Sequence, residues 1–168
     1  MKRYIKQKVF SWKDRLTVKD EEGRDLYFAE GEVFSWGHRL HVCDAQRREM
    51  IYIQEKVMSW KPRYYIYIDG REAAEIVREF SFFRPQYTIS GLDWEIKGSF
   101  WEHEYDVLDR KTGARVASIQ KEWMTWGDSY EISFEREEDE KMLLALVLTI
   151  DCVMASEAAS AASAPGSV

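Results

Sequence analysis

The sequence predicts a mainly β fold, a twelve-stranded antiparallel closed barrel around a central hydrophobic C-terminal helix. Three observations carry that expectation. A short aromatic phrase recurs at a fixed interval, as VFSW at Val9–Trp12 and Val33–Trp36 and VMSW at Val57–Trp60, each 24 residues after the last. Polar turns rich in Asp and Gly separate the repeats, and such residues between alternating runs mark hairpins. The stretch Met142–Ala155, MLLALVLTIDCVMA, is apolar on every side of a helical wheel, so protein has to surround it.

Taken in order, looser echoes of the phrase follow at Phe80–Phe83, Ser99–Trp101 and Trp123–Trp126, giving six units ahead of the apolar run. Internal repetition outranks other signals. Each phrase leads into a tight polar connection (KDR, GHR, KPR, RPQ, EHE, GDS) and then a short β-rich run such as LTV, LHV or YYIYI, so each unit is a hairpin. Strands are expected near 4–11, 15–20, 25–35, 39–43, 49–59, 63–68, 72–82, 86–90, 93–100, 104–108, 114–124 and 129–134. Consecutive hairpins form a meander, and closing a meander into a barrel removes its edges. Twelve strands enclose more space than side chains fill. A helix about 10–12 Å across fits the gap.

Acidic residues from Glu137 to Glu140 precede that helix, where they offset the positive end of its dipole. The apolar run of 14 residues falls short of the ~20 that cross a bilayer. Beyond it, SEAASAASAPGSV extends the helix by a turn or two before Pro165 and Gly166 stop it. The expected organisation is a barrel domain over 1–156 and a low-complexity, disordered tail over 157–168.

Composition narrows function by exclusion. Lys and Arg number 24 against 30 Asp and Glu, a formal charge of -6, which disfavours bulk electrostatic binding to nucleic acid. The N-terminal stretch alternates polar and apolar residues from Tyr4 and lacks the continuous apolar core of a signal peptide. Two cysteines, Cys43 and Cys152, make neither a disulfide framework nor a zinc spacing. A reducing cytoplasm is the expected home.

Catalytic chemistry finds no foothold either. His41 and Cys43 share one face of a strand while His38 lies in the turn or points away, so at most two ligands converge where zinc takes at least three. Cys43 lacks an Asn or Asp partner placed by any nucleophile motif, and His103, between Glu102 and Glu104, is expected as a solvated turn residue. No nucleotide-binding, hydrolase or metalloprotease signature is present. The chain is therefore expected to be no enzyme and to hold no cofactor or metal. Asp151 is the one acid inside the apolar run; an unpaired buried carboxylate is costly, so it needs a hydrogen-bonding partner, a position at the barrel mouth, or a ligand.

The phrase aromatics Trp12, Trp36, Trp60, Phe83, Trp101 and Trp126 are expected to plug one end of the barrel and pack on the helix. The connections after the first four bring Lys13, Arg15, His38, Arg39, Lys61, Arg63 and Arg84 to that end, with Asp14 opposing them. Trp beside Lys and Arg is the composition of a membrane interface. Lys13, Arg15, Arg39, Lys61, Arg63 and Arg84 are accordingly the candidate rim for an anionic ligand or lipid.

Four stretches, IKQKVFSWKDRLTVKDEEG (Ile5–Gly23), FSFFRPQYTISGLDWEIKG (Phe80–Gly98), KEWMTWGDSYEI (Lys121–Ile132) and LALVLTIDCV (Leu144–Val153), together resemble the LURP-one-related family. The resemblance implies the tubby C-terminal-like fold, a twelve-stranded barrel around a hydrophobic C-terminal helix. In that superfamily tubby domains bind phosphoinositide headgroups through basic residues and phospholipid scramblases work at membranes. The tubby lipid pocket has no residue-by-residue match here, and the anchor expected of a scramblase does not follow the helix, so the resemblance carries the fold and no site. Two functions are expected. The first is a cytoplasmic, peripherally membrane-contacting protein that binds phosphoinositides or other anionic ligands. The alternative is a soluble interaction scaffold without a small-molecule ligand, its acidic Asp20–Glu22 and Glu135–Glu140 facing an unidentified protein partner.

Overall fold

A computed structural model describes residues 1–6, 15–32, 36–81, 85–100, 102–124 and 127–162, the side chains of 6, 121–124, 127, 128 and 159 excepted. Twelve strands precede one helix: β1 (Lys2–Lys6), β2 (Arg15–Lys19), β3 (Asp25–Gly31), β4 (Arg39–Asp44), β5 (Glu49–Glu55), β6 (Arg63–Ile68), β7 (Arg71–Glu79), β8 (Gln86–Ser90), β9 (Trp94–Ser99), β10 (Glu104–Asp109), β11 (Arg115–Met124), β12 (Gly127–Phe134) and α1 (Glu140–Ala162). They form one sheet in the order β8-β7-β6-β5-β4-β3-β2-β1-β12-β11-β10-β9. Chain neighbours pair antiparallel, and β1 pairs with β12, setting Ile5 opposite Tyr130. The expected closed barrel is nearly closed: among the described residues no ladder joins β8 to β9, which lie side by side at a seam.

Alternation builds the interior. Leu16 and Val18, Leu40 and Val42, Ile51 and Ile53 point inward with little or no exposure, while their strand neighbours face out. These residues surround α1, in which every residue from Met142 to Met154 is buried. Within that span Thr149 returns its hydroxyl to the Ala145 carbonyl at 2.7 Å, which leaves Asp151 as the one charge to be matched. At 23 residues α1 is longer than the apolar run alone, and by length and composition it is a candidate membrane span. Its buried surface belongs to the barrel. The helix continues to Ala162, so the boundary expected at 157 falls inside it, and Glu157 is tied to Arg78 at 3.0 Å.

The 24-residue period reaches into the turns. Asp20 Oδ1 accepts the N–H groups of Glu22 and Arg24, and Asp44 Oδ1 accepts those of Gln46 and Arg48 in the same way. The arginine side chain closes each turn onto its aspartate, at 2.6 Å for Arg24 and 2.8 Å for Arg48. β-Bulges recur at the same interval, between Val18 and Lys19, Val42 and Cys43, and Ile66 and Tyr67. Each adds local twist where a strand meets its turn, which helps curl the meander around α1.

Candidate functional site

Up-and-down topology sends the odd-to-even hairpin loops to one end of the barrel, the end that α1 approaches with its C-terminal half. Among its described residues this crown carries large apolar side chains in water, foremost Trp36 (84% exposed), Met58 (98%), Trp60 (89%) and Phe80 (67%). They sit on the β3–β4, β5–β6 and β7–β8 connections, which are neighbours in the sheet. Trp36 and Trp60 were expected as an inward plug; instead both stand outside. The reason is local, since β5 ends at Glu55 and VMSW lies in the loop beyond it. Met58 there takes a left-handed backbone, φ 60°, which a bulky residue adopts only at a cost. Gly37, φ 80°, lets the two tips touch, because a Cβ there would meet the Val57 side chain at 3.0 Å. Trp12, Phe83, Trp101 and Trp126 lie outside the residues whose side chains are described.

The basic residues are brought to this end as the hairpins require, but not unopposed. Arg15 pairs with Glu30 at 2.9 Å, directly across the ladder. Arg39 pairs with Glu32 at 3.2 Å and Arg63 with Glu75 at 2.5 Å, and Lys61 is ion-paired to Glu79. His38 donates its backbone N–H to Glu55 at 2.9 Å. The sequence set only Asp14 against these cations; glutamates on or next to the strands, seven to eighteen positions away in sequence, supply the missing charge. Lys13, Arg84 and Asp14 lie outside the described residues.

Beneath the crown, Asp151 has found its partners. Tyr130 donates its phenol hydroxyl to Oδ2, and His103 Nε2 lies 3.2 Å from Oδ1. His103 is nearly buried, its side chain 12% exposed, and its ring stacks on Tyr130 with centroids 4.9 Å apart. The expected solvated turn residue is thus part of the interior. A left-handed turn, φ 52°, swings it over the barrel mouth. Burial and the Asp151 charge push the Tyr130 hydroxyl well above the usual phenol range, so it remains a donor. Tyr87, Phe100 and Tyr105 pack in sequence at 5.0 and 5.1 Å across the β8–β9 seam. This cluster closes the barrel and fixes α1.

On the outer wall a cavity of about 440 Å³ runs between β2 and the β4–β5 turn, lined by Arg15, Phe28, Glu30, His41, Cys43 and Arg47 among others. His41 is clamped there, with Nδ1 2.5 Å from Glu49 and Nε2 2.9 Å from Glu32. Burial opposes the imidazolium, but the two glutamates outweigh it and raise its pKa. Cys43 is half-buried, and burial together with Glu49 and Asp44 raises its thiol pKa, which disfavours the thiolate a nucleophile needs. Among the described residues no three His, Cys, Asp or Glu side chains gather as metal ligands.

Comparison with known proteins adds three findings. The family model described as LURP-one-related matches residues 1–151. The Bacillus subtilis (strain 168) protein YxjI, named as uncharacterized, is 36% identical over 152 residues, which is 90% of this chain and 92% of its own. An X-ray structure of an Arabidopsis thaliana protein matches with a TM-score of 0.64 at 16% identity over 90% of each chain. At that identity the likeness speaks for the fold alone.

Proposed function

This chain belongs to the LURP-one-related family, and we propose that it serves as a non-enzymatic module that contacts a membrane surface peripherally through its crown. The observation that carries this reading is the set Trp36, Met58, Trp60 and Phe80, exposed together on three adjacent hairpin tips. Contiguous exposed apolar patches mark interaction surfaces, and Trp favours the boundary between headgroups and acyl chains. Withdrawing one aromatic tip from water is worth roughly 4–6 kcal/mol gross, from about 150–250 Å² at about 25 cal/mol per Å². Association consumes about 4–15 kcal/mol. Contact through several tips is therefore reversible and largely insensitive to salt.

The scaffold of the crown is suited to that task. Hydrogen-bonded strands carry the tips, while α1 stays enclosed from Met142 to Met154. A cytoplasmic location, at the membrane's inner face, fits two cysteines that are both free thiols. Phosphoinositide recognition through the rim has less support, because Arg15, Arg39, Lys61 and Arg63 already hold carboxylates.

Co-sedimentation with phosphatidylcholine vesicles, with and without added phosphoinositide, tests the reading. Wild type is expected to sediment with both, and a Trp36→Ser, Trp60→Ser variant of unchanged melting temperature with neither. Absence of wild-type binding to either vesicle would remove membrane contact and leave the crown to a protein partner.

A further inference from the structure

We propose that Glu30, Glu32, Glu75 and Glu79 set the surface preference of the crown: by holding Arg15, Arg39, Lys61 and Arg63 in intramolecular pairs, they direct it to zwitterionic rather than anionic lipid. This inference rests on the membrane-contact reading and specifies which surface is contacted. Each pair is built across the sheet and not by chance approach of flexible termini. Glu30 stands directly opposite Arg15 in the β2–β3 ladder. Glu75 reaches Arg63 across the β6–β7 pair. Glu79 binds Lys61 and also accepts the Thr88 hydroxyl at 3.1 Å, so it is anchored from β8 as well. Glu32 divides its two oxygens between Arg39 and His41.

A lipid phosphate approaching Arg63 or Lys61 must displace a carboxylate that the strands hold in place. The displaced group then stays within a few ångströms of the phosphate, as a like charge. Exchange of one anion for another thus gains little, and the repulsion left behind opposes it. For two of them the charge is favoured further: hydrogen bonding from Lys61 holds the Glu79 carboxyl below the usual range, and His41 does the same for Glu32. Around the crown, Glu102 and Glu104 on the β9–β10 hairpin add negative charge. Lys56, exposed in the β5–β6 loop, has no ion-pair partner among the described residues, one cation in a chain of net charge -6. A phosphatidylcholine surface asks for no net charge and accepts the apolar tips.

The test compares vesicles of phosphatidylcholine alone with vesicles containing about one third phosphatidylserine, at low salt, for three proteins. Wild type is expected to partition onto the two within about twofold. A Glu75→Gln, Glu79→Gln variant frees Arg63 and Lys61, and at about 1 kcal/mol for each basic residue near an anionic surface it should gain about 30-fold on the serine vesicles with no change on phosphatidylcholine. A fourfold variant with Lys61→Gln, Arg63→Gln, Glu75→Gln and Glu79→Gln removes both members of each pair and should bind both vesicles as wild type does, because paired charges contribute no net attraction; this arm stands even if the Glu75→Gln, Glu79→Gln variant misfolds. Tenfold preference of wild type for phosphatidylserine, no gain by the glutamate variant when folded, or loss of binding to the serine vesicles by the fourfold variant would each overturn the masking inference while leaving membrane contact intact. Failure of all three proteins to bind either vesicle would overturn membrane contact itself.

Discussion

Replacing Met58 separates the crown's conformation from its contact surface. The residue holds φ at 60° while 98% exposed, so its side chain contributes no burial to offset the backbone. A left-handed conformation costs an L-residue about 1–2 kcal/mol, and glycine, which avoids that cost, loses about 0.5–1 kcal/mol more entropy on folding. Met58→Gly should therefore stabilise the protein by about 0.5–1 kcal/mol, a rise in melting temperature of about 1–4 °C for a chain of this size. Met58→Ala keeps the left-handed backbone and removes the same apolar tip, so its melting temperature should stay within about 1 °C of wild type. On vesicles both variants should lose equally, by about tenfold or more, since an apolar side chain withdrawn from water is worth about 1.5–3 kcal/mol. Thermal melts followed by circular dichroism and co-sedimentation give the two readouts. A lower melting temperature for Met58→Gly would refute the strain argument, and unchanged vesicle binding by both variants would refute contact at this tip.

Other expectations follow from the interior and the charged turns. Leu146, 1% exposed, is enclosed by the barrel; Leu146→Ala should cost about 2–5 kcal/mol, whereas Leu146→Asp buries an unpaired charge and should yield no folded protein, so a soluble, cooperatively melting aspartate variant would contradict the enclosure of α1. Tyr130→Phe deletes the hydroxyl that Asp151 accepts and should cost about 1.5–3 kcal/mol; combined with Asp151→Asn the loss should be less than additive, and full additivity in the melts would show that the two do not interact. His41 has its pKa raised above 6.5, the two glutamates outweighing burial, so the stability it lends is complete below the unfolded value and fades as pH rises through the folded one. Denaturant melts from pH 5 to 9 should show wild type losing stability relative to His41→Gln toward the alkaline side; parallel profiles would sink the assignment. At the acid end, backbone N–H groups, Arg48 first for Asp44 and Thr112 first for Asp109, lower both carboxyls below 3.8, and that contribution is present above the unfolded value and lost as pH falls through the folded one.

Strand starts at Asp25 and Glu49 were legible because turn chemistry announces them: Asp20 and Asp44 spell the preceding turns in side chains that bind backbone. Strand ends were not. Trp36 and Trp60 have the β-propensity of strand residues and stand at the expected ends of β3 and β5, yet both sit in loops whose shape depends on the left-handed Met58 and on Gly37. Charge pairing at the crown escaped for a related reason. Deciding that Glu75 faces Arg63 requires the register of β6 on β7, which carries a bulge between Ile66 and Tyr67, and nothing in the local sequence marks that extra residue. The need of Asp151 for a partner was evident from its apolar surroundings; that His103, 48 residues earlier, would supply one depends on a turn conformation visible only in three dimensions.

Enclosure of α1 has a consequence for how the protein is made. The helix follows all twelve strands in the chain, and β1 waits for β12, with Ile5 opposite Tyr130. At about 5–20 residues per second, the inner faces of the strands spend several seconds or more outside the ribosome before the segment that covers them exists. The last element of the barrel to be synthesised is thus the one around which the others condense. Folding must wait until α1 has been made, is slow for its size because its decisive pairings are distant in sequence, and depends during that interval on whatever keeps apolar strands from meeting those of a neighbouring nascent chain. A ribosome stalled before Met142 would release an aggregate-forming ribbon and not a weakened barrel.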